Sequence, residues 1–454
     1  MHKTSLSALL LALIVVVGGT ARMSAQPQLK TRIVASNLSI PWELVWGPDN
    51  RIWITELRGV VSSIDPTSGD KRVLLADLPD RISLNESGLL GMVLHPQFVE
   101  LPFVYIGYTY MADETIKLKI VRYRYDGSTL VEPTILLGNI QGGFIHNGCR
   151  LAFGPDNTLF ITAGEGGRSA DAQLLDRYNG KILRINADGS IPSDNPIPGS
   201  AIWSWGHRNP QGLVFGPNDV LYSSEHGATT DDEVNIITKG RNYGWPRVEG
   251  FCDKANELAF CTDSNVVEPI GATWTPTLAV SDLIYYHYDL IPEWKDRLVM
   301  CVLKEKLIVV MKLNETRTEF VEEYRMFRGT FGRLRSICAS PDGRVFIGST
   351  NKDVYGDSTQ HPGCDYIVEI TPQSTDVHEQ TAHAIFLVTD SQLVAFALSS
   401  NATLVITDIL GRTINEYNTD QVGGFHVDLS HLASGAYTAI VHTSAGSQAF
   451  AFVR

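Results

Sequence analysis

The sequence has few of the motifs that most directly reveal chemistry. Its 454 residues contain no CxxC pair, no HExxH, no GxSxG and no Walker loop. These absences remove the zinc-ribbon, zinc-protease, nucleophile-elbow and phosphate-loop readings. GEGG at 164–167 is glycine-rich but follows a β-like run without a helical pattern behind it, so it carries no phosphate-binding reading. Positive charge is scarce. There are 37 Lys and Arg against 50 Asp and Glu, a formal net charge of −13, and no basic run. A nucleic-acid partner is excluded on that ground. Helical patterning is also missing: outside the N-terminus no long stretch repeats apolar residues at i, i+3, i+4 and i+7.

One apolar run is sustained, ALLLALIVVV at 8–17, and it is too short to cross a bilayer comfortably. Lys3 precedes it and the small-residue stretch GGTARMSAQ follows. That order predicts a signal peptide over residues 1–25, with cleavage after Ala21 or Ala25. The mature chain is therefore expected to be secreted, extracellular or attached to the cell surface, with the periplasm as transit. Six cysteines suit an oxidising compartment. Cys252 and Cys261 flank the short polar loop FCDKANELAFC and are expected to form a disulfide; the sequence does not set the pairing of the other four, of which Cys149 also reads as a buried thiol.

What the chain has in quantity is Gly (39), Pro (21) and short β-rich runs. One pattern recurs: WGPDNRIWITE from 46, LHPQFVELPFVYIGY from 94, FGPDNTLFITAGE from 153, FGPNDVLYSSE from 215 and ASPDGRVFIGS from 339. Each has an apolar approach, a Pro-containing turn and an alternating run, which reads as strand, tight turn, strand. The last gap is double the one before it, and IPEWKDRLVMCVLK at 291–304 fills it as a drifted copy. Six such units cannot bury both faces singly. Arranged radially they can, so an all-β, six-bladed β-propeller is expected over 30–372. A two-sheet sandwich or several small β domains is the alternative. Residues 373–383 read as a polar linker, and the alternating strands of 384–454 as a small β-sandwich domain.

Four groups of residues could carry chemistry. His146, in GGFIHNGCRLAFGPD, follows two glycines and precedes a strand. It reads as a general base or as a structural loop histidine. WSWGHRNPQGL at 203–213 offers Arg208, Asn209 and Gln211, planar donors suited to carboxylates or carbonyls, or to tying down a loop. Pro210 argues against a helix interior or a central strand there. In SSEHGATTDDEVNIITKGRNYGWP, Asp231, Asp232 and Glu233 with the carbonyls of Gly227 and Ala228 could hold a hard cation such as Ca²⁺, or form an acidic turn. Lys304, Arg333 and Arg335 are dispersed cations. If the strand carrying 333 and 335 faces a channel, an anionic ligand would neutralise them; otherwise they lie on an exposed basic edge.

In this order, HNGCRLAFGPD, WGHRNPQGL, SEHG…DDEVN…NYGWP, LK and RLR…SPDGRVF, the chain over about 35–370 resembles the soluble quinoprotein glucose and aldose sugar dehydrogenases. The resemblance implies a six-bladed propeller, pyrroloquinoline quinone and Ca²⁺. It implies that His146 is the base and that Arg208 lies beside the quinone carbonyls. Glu86, Asn209, Gln211, Lys304, Arg333 and Arg335 would contact the cofactor. The carbonyls of Gly227 and Ala228 would hold the active-site Ca²⁺, and Glu233 and Tyr243 a second, structural ion. Ile145 departs from glucose dehydrogenase, which has an Asp there, and leaves the group that polarises His146 undefined. The implied activity is oxidation of an aldose at its anomeric carbon, with an external electron acceptor. The alternatives are a non-catalytic propeller binding carbohydrate or protein at the surface, and a Ca²⁺-dependent lactonase. Residues LVITDILGRTI, VDLSHLASGAYTAIV and the final FAFVR resemble a type IX secretion sorting domain, which implies that export machinery as a partner; the usual early Pro-Asn-Pro segment is missing.

Overall fold

The computed structural model describes residues 26–373, apart from positions 77, 272 and 273, together with strands and some turns between 384 and 453. The predicted signal peptide and residues 374–383 of the linker lie outside the described residues. The chain divides into two units, 1–372 and 373–454.

The first unit is a succession of antiparallel sheets. Sheet I comprises Pro41–Trp46, Ile52–Glu56, Val60–Ile64 and Lys71–Leu75. Sheet II comprises Leu89–Leu94, Phe103–Ala112, Thr115–Tyr125 and Leu130–Gln141. Sheet III comprises Gly148–Phe153, Thr158–Ala163, Lys181–Asn186 and Ile202–Trp205. Sheet IV has three strands, Pro210–Phe215, Leu221–Glu225 and Glu233–Ile236. Sheet V comprises Val280–Tyr286, Arg297–Val302, Leu307–Leu313 and Phe320–Met326. Sheet VI comprises Leu334–Ala339, Val345–Ser349 and Ile367–Pro372, completed at its edge by the N-terminal strand Leu29–Ala35. Every recurrent sequence motif, the drifted copy included, falls on the first hairpin of one of these sheets.

Hydrophobic packing closes the series. Trp53 and Val61 of sheet I meet Met92 and Ile106 of sheet II, and Tyr105 and Leu118 of sheet II meet Leu159 and Leu183 of sheet III. Phe160 and Ile182 meet Leu213 and Leu221; Tyr222 and Val234 meet Leu283 and Leu298. Val299 and Val310 meet Ile337 and Val345, and Phe346 and Ile367 of sheet VI return to Leu44 and Ile54 of sheet I. The first strands of successive sheets are neighbours around the same ring, sheet VI against sheet I included. Each sheet thus buries both faces against its neighbours, as a propeller requires. Burying an aliphatic side chain of this kind contributes about 1.5–3 kcal/mol. Cooperative stability therefore lies at the seams between sheets, not within any one of them.

Each first strand is bulged against its hairpin partner near its start. The register shifts after Pro41, Leu89, Gly148, Pro210, Val280 and Leu334. A bulge leaves residues unpaired and re-aims their side chains. The residues so released include Trp42, Arg150, Gln211, Asp282 and Arg335. Arg150 pairs with Glu43 and, at 3.3 Å, with Asp282; its Nε donates to Gln211 O at 2.9 Å and its guanidinium lies 4.3 Å from the Trp42 ring centroid. Sheets I, III, IV and V are thereby joined through one buried cation. Burial raises the Glu43 carboxyl to about 8 despite the arginine.

Two expectations are corrected. Pro210 does stand in an innermost strand, at its first residue, where its missing N–H interrupts no ladder. The Cys252–Cys261 disulfide forms, but its segment is not a plain loop: Leu258–Asp263 is a short helix containing Cys261. Cys149, Cys301, Cys338 and Cys364 are buried thiols.

The second unit has a three-stranded sheet (Ala384–Val388, Gln392–Ala397, Gly423–Asp428) and a four-stranded sheet (Ala402–Asp408, Thr413–Thr419, Ala436–Thr443, Gly446–Val453). Leu393, Phe425 and Val427 of one share a core with Leu404, Ile406 and Val441 of the other, the two-layer arrangement of a sandwich. Among the described residues no helix is long and apolar enough to cross a membrane.

Candidate active site

In an antiparallel meander the start of the first strand and the end of the second lie at the same edge. The ring of sheets gathers those edges at one end. Glu86, His146, Arg208 and Arg333 shortly precede the first strands of sheets II, III, IV and VI. Gly227, Lys304 and Tyr355 follow second strands of sheets IV, V and VI. A cavity of about 440 Å³ opens there. It brings together ten of the expected site residues: Glu86, His146, Arg208, Asn209 and Gln211, with Gly227, Ala228, Lys304, Arg333 and Arg335. His226, Thr277, Lys306 and Tyr355 join them. The lining thus holds five cations and one carboxylate, on a chain whose net charge is −13.

His146 sits on a constrained loop. Its φ is +57°, a left-handed conformation that costs a non-glycine residue energy and requires support. Support comes from both sides. Its N–H donates to Glu86 Oε2 at 2.9 Å, and its carbonyl accepts from Gly166 N at 2.9 Å. Glycines before and after it serve a close approach: a Cβ on Gly143 would stand 2.1 Å from Gly166 O, and one on Gly164 would stand 2.2 Å from His146 O. The loop of His146 and the GEGG segment are locked together, and Glu165 is the result. Its Oε1 lies 2.6 Å from His146 Nδ1, and the residue is 3% exposed. The missing partner left open by Ile145 is therefore Glu165, supplied by the stretch dismissed as a phosphate loop. Its signal in the sequence was the carboxylate that closes FITAGE, just past the repeat position where Glu225 closes LYSSE.

Glu225 explains much of WGHRNPQGL. It accepts the main-chain N–H groups of Arg208 and of Asn209 (3.1 Å) and pairs with His207 Nδ1 at 2.9 Å. Arg208 NH1 donates to His226 O at 3.2 Å, and the guanidinium lies 5.3 Å from the Trp245 ring centroid. Asn209 Oδ1 accepts from Gly148 N at 3.1 Å and from Gln211 Nε2 at 3.0 Å. Gln211 Oε1 accepts from Arg335 NH1 at 3.3 Å.

Arg333 and Arg335 have a counter-charge that sequence inspection did not supply. Asp353 lies 3.1 Å from Arg333 Nε and 3.5 Å from Arg335 NH2. One buried carboxylate for two buried cations leaves an excess of one positive charge. Burial pulls Arg208 and Arg335 below their ordinary range, and each keeps a buried Nε without a hydrogen-bond partner among the described residues. Burial, with Arg208 and other nearby cations, also holds the His226 imidazole neutral. The unsatisfied groups on these two arginines are donors, which fits an anion with several acceptor oxygens.

Glu233 and Tyr243 do not reach this cavity. They line a chamber of about 20 Å³ behind it, with Glu225, Asp231 and Glu249, and share Arg208, His226 and Gly227 as a wall. The Tyr243 hydroxyl donates to Ile236 O (2.6 Å) and accepts from Thr238 N (2.8 Å), so its main-chain carbonyl is what it has left to offer an ion. Burial and the Glu225 charge raise Glu233 to about 8. Asp232, grouped with these oxygens in the sequence reading, is a latch instead. It accepts from the N–H groups of Gly227, Leu278 and Ala279 at 2.9, 2.6 and 2.7 Å and so fixes the Gly227–Ala228 turn at the cavity. Among the described residues no group of three or more His, Cys, Asp and Glu side chains is arranged to hold a metal.

The chain matches the Glucose / Sorbosone dehydrogenase family over residues 38–355. It is 33% identical over 404 residues to quinoprotein glucose dehydrogenase B of Acinetobacter calcoaceticus, covering 69% of this chain and 84% of that protein. It is 30% identical over 351 residues to the aldose sugar dehydrogenase YliI of Escherichia coli, covering 72% and 92%. The PQQ-bound aldose sugar dehydrogenase of Streptomyces coelicolor superimposes with a TM-score of 0.68 at 31% identity, over 77% of this chain and 99% of that one. Fold, cavity and sequence agree: the chain belongs to the glucose/sorbosone dehydrogenase family.

Proposed function

We propose that this chain is a quinoprotein dehydrogenase that oxidises aldose sugars at the anomeric carbon to lactones, with pyrroloquinoline quinone and Ca²⁺ as cofactors and an external electron acceptor. The observation that carries the reading is the convergence of five cations and one carboxylate-oriented imidazole on a single cavity.

The residues fit the quinone. A flat, multiply anionic group needs forked and amide donors, and Arg208, Arg333, Arg335, Lys304, Asn209 and Gln211 would hold it, with Glu86 at the edge beside His146. They fit calcium through oxygens rather than a carboxylate cage. The Gly227 and Ala228 carbonyls would hold one ion, and Glu233 with the Tyr243 carbonyl a second, where the carboxylates of buried Glu225 and half-buried Glu233 repel each other. When bound, the quinone supplies the acceptor for the hydride of the anomeric C–H.

The protein's part is proton transfer and orientation. A carboxylate only accepts, so Glu165 fixes the proton of His146 on Nδ1 and leaves the Nε2 lone pair free. Nε2 takes the proton of the anomeric hydroxyl, and the imidazolium so formed is stabilised by Glu165. The Arg208 guanidinium stabilises negative charge that develops in the cavity.

Residues 30–372 form the dehydrogenase domain on this reading. The segment 1–25 directs export, 373–383 links, and 384–454 is the sorting domain read by type IX secretion machinery, which releases or tethers the enzyme outside the cell. The deciding experiment reconstitutes the purified chain with quinone and Ca²⁺ and follows dye reduction over a panel of aldoses. Sugar-dependent reduction with saturable quinone binding is expected. Absence of both turnover and quinone binding would sink the reading, and lactone hydrolysis without quinone would replace it.

A further inference from the structure

Beyond the cavity lies a charged group that the reaction does not use. Lys181 opens the strand Lys181–Asn186 and is wholly buried, with 0% exposure. An ammonium has three N–H donors, and each meets a main-chain carbonyl: Asn179 O at 2.8 Å, Asp171 O at 2.9 Å and Ala172 O at 3.1 Å. These carbonyls come from the 3₁₀ segment Ser169–Gln173 and from the residue before Gly180. A caged cation is thus built into the segment 164–180, and that segment begins with the carboxylate that orients His146. Three bonds make the connection. Asn179 Nδ2 donates to Glu165 O at 2.9 Å and to Asp171 Oδ2 at 3.0 Å, and Gly180 N donates to Gly164 O at 3.0 Å.

The surroundings favour the charged form only in part. Asp171 and Asp176 of the same segment attract the ammonium, while burial pushes it down to about 7. From the adjoining strand Ile202–Trp205 and its continuation comes His207, whose N–H donates to Gly180 O and whose imidazole is held by Glu225. A group retained at such cost in a sealed site serves the geometry it imposes.

We propose that Lys181 is a positioning residue for the base: its ammonium ties the 164–180 segment shut and so holds Glu165 against His146. The proposal rests on the reading of His146 as base. Lys181→Met keeps the length of the side chain and removes its donors. In the full chain loaded with quinone and Ca²⁺, it is expected to raise amide hydrogen exchange across 164–180 at least about tenfold while leaving 331–337 unchanged. It is expected to lower kcat about tenfold, with sugar KM and quinone affinity within about twofold. If Lys181 acts through Glu165, the Lys181→Met/Glu165→Gln double variant is no slower than Glu165→Gln alone. Multiplying losses, or unchanged exchange over 164–180, overturns the proposal. Should Lys181→Met not fold, Lys181→Gln keeps two donors and is expected to show a smaller loss of the same pattern; wild-type exchange and kcat in that variant overturn it equally. Absence of aldose turnover in the wild type would defeat the base assignment alone, because the exchange pattern reads the tie without catalysis.

Discussion

Two chambers share a wall and carry opposite charge. In front of Arg208, His226 and Gly227 the lining holds Lys304, Lys306, Arg333 and Arg335; behind it stand Glu225, Asp231, Glu233 and Glu249. The larger space leaves buried N–H donors unsatisfied, and the smaller one leaves a carboxylate raised toward neutrality. Each is electrostatically incomplete in the sense that the other is not. A fold that needed only internal stability would have mixed the two sets. Separation across one residue layer means that each chamber is shaped for something from outside, an anion in front and a cation behind. Arg208 belongs to both: it lines the two spaces, its guanidinium beside Trp245 of the rear one, and its main-chain N–H is held by Glu225.

The comparison breaks most sharply at His146. Its replacement by Ala should lower kcat about a thousandfold, the range of general-base removal, with quinone affinity nearly unchanged. Dye reduction set against a quinone titration reads both, and parallel losses in the two would mean that the imidazole holds the cofactor instead. Arg208→Met comes next, at about a hundredfold in kcat. Its main-chain bond to Glu225 survives the substitution, so the rear chamber and the Ca²⁺ dependence of Tm should be spared. A variant that lost both would show that the wall cannot be separated into its two functions.

Asp353→Asn sharpens the comparison from the other side. The carboxylate is 95% buried between Arg333 and Arg335, and stripping a buried pair of its partner costs about 3–5 kcal/mol. The unliganded variant should melt lower, while the gap in Tm between unliganded and quinone-loaded protein widens, since the anion then neutralises two cations without competition. Thermal melts with and without quinone suffice, and a narrowed gap would show that Asp353 assists the ligand rather than competing with it.

Much of this was legible in the sequence because the hairpin motif is local. A proline turn between two apolar runs announces itself within a dozen residues, and even the copy at 291–304 kept its apolar strand, Arg297–Val302. Ten cavity residues followed from motif resemblance. What escaped were relations between strands. The bulges that release Arg150, Gln211 and Arg335 are mismatches of register, which neither strand shows alone. Glu165 and Asp353 lie nineteen residues beyond His146 and eighteen beyond Arg335, past the ends of second strands, and become neighbours only because the hairpin returns the chain to the same edge. The same return was visible in principle: the repeat copies ending in Glu56, Glu165 and Glu225 each place a carboxylate against the loop that precedes the first strand of their own sheet. Asp232 misled because an acidic run read as exposed ligands, whereas three main-chain N–H groups consume it.

The smallest expected effect tests the rear chamber by pH. Native Glu233 keeps its proton up to about 8, whereas the unfolded chain releases it near the ordinary 4.5. Between those values the native state binds more protons, so this group's contribution to stability falls as pH rises from about 4.5 to about 8. A cation in the chamber reverses the trend by stabilising the ionised pair. Without Ca²⁺, Tm should therefore drift down over that window by about 3 °C or more, and added Ca²⁺ should recover most of it at the alkaline end. Glu233→Gln removes the titration and should flatten both the drift and the Ca²⁺ response while dye reduction in front of the wall changes little. If the drift survives in Glu233→Gln, the repulsion resides elsewhere, and the buried Glu43 beneath the cavity, also raised to about 8, is the group to replace next.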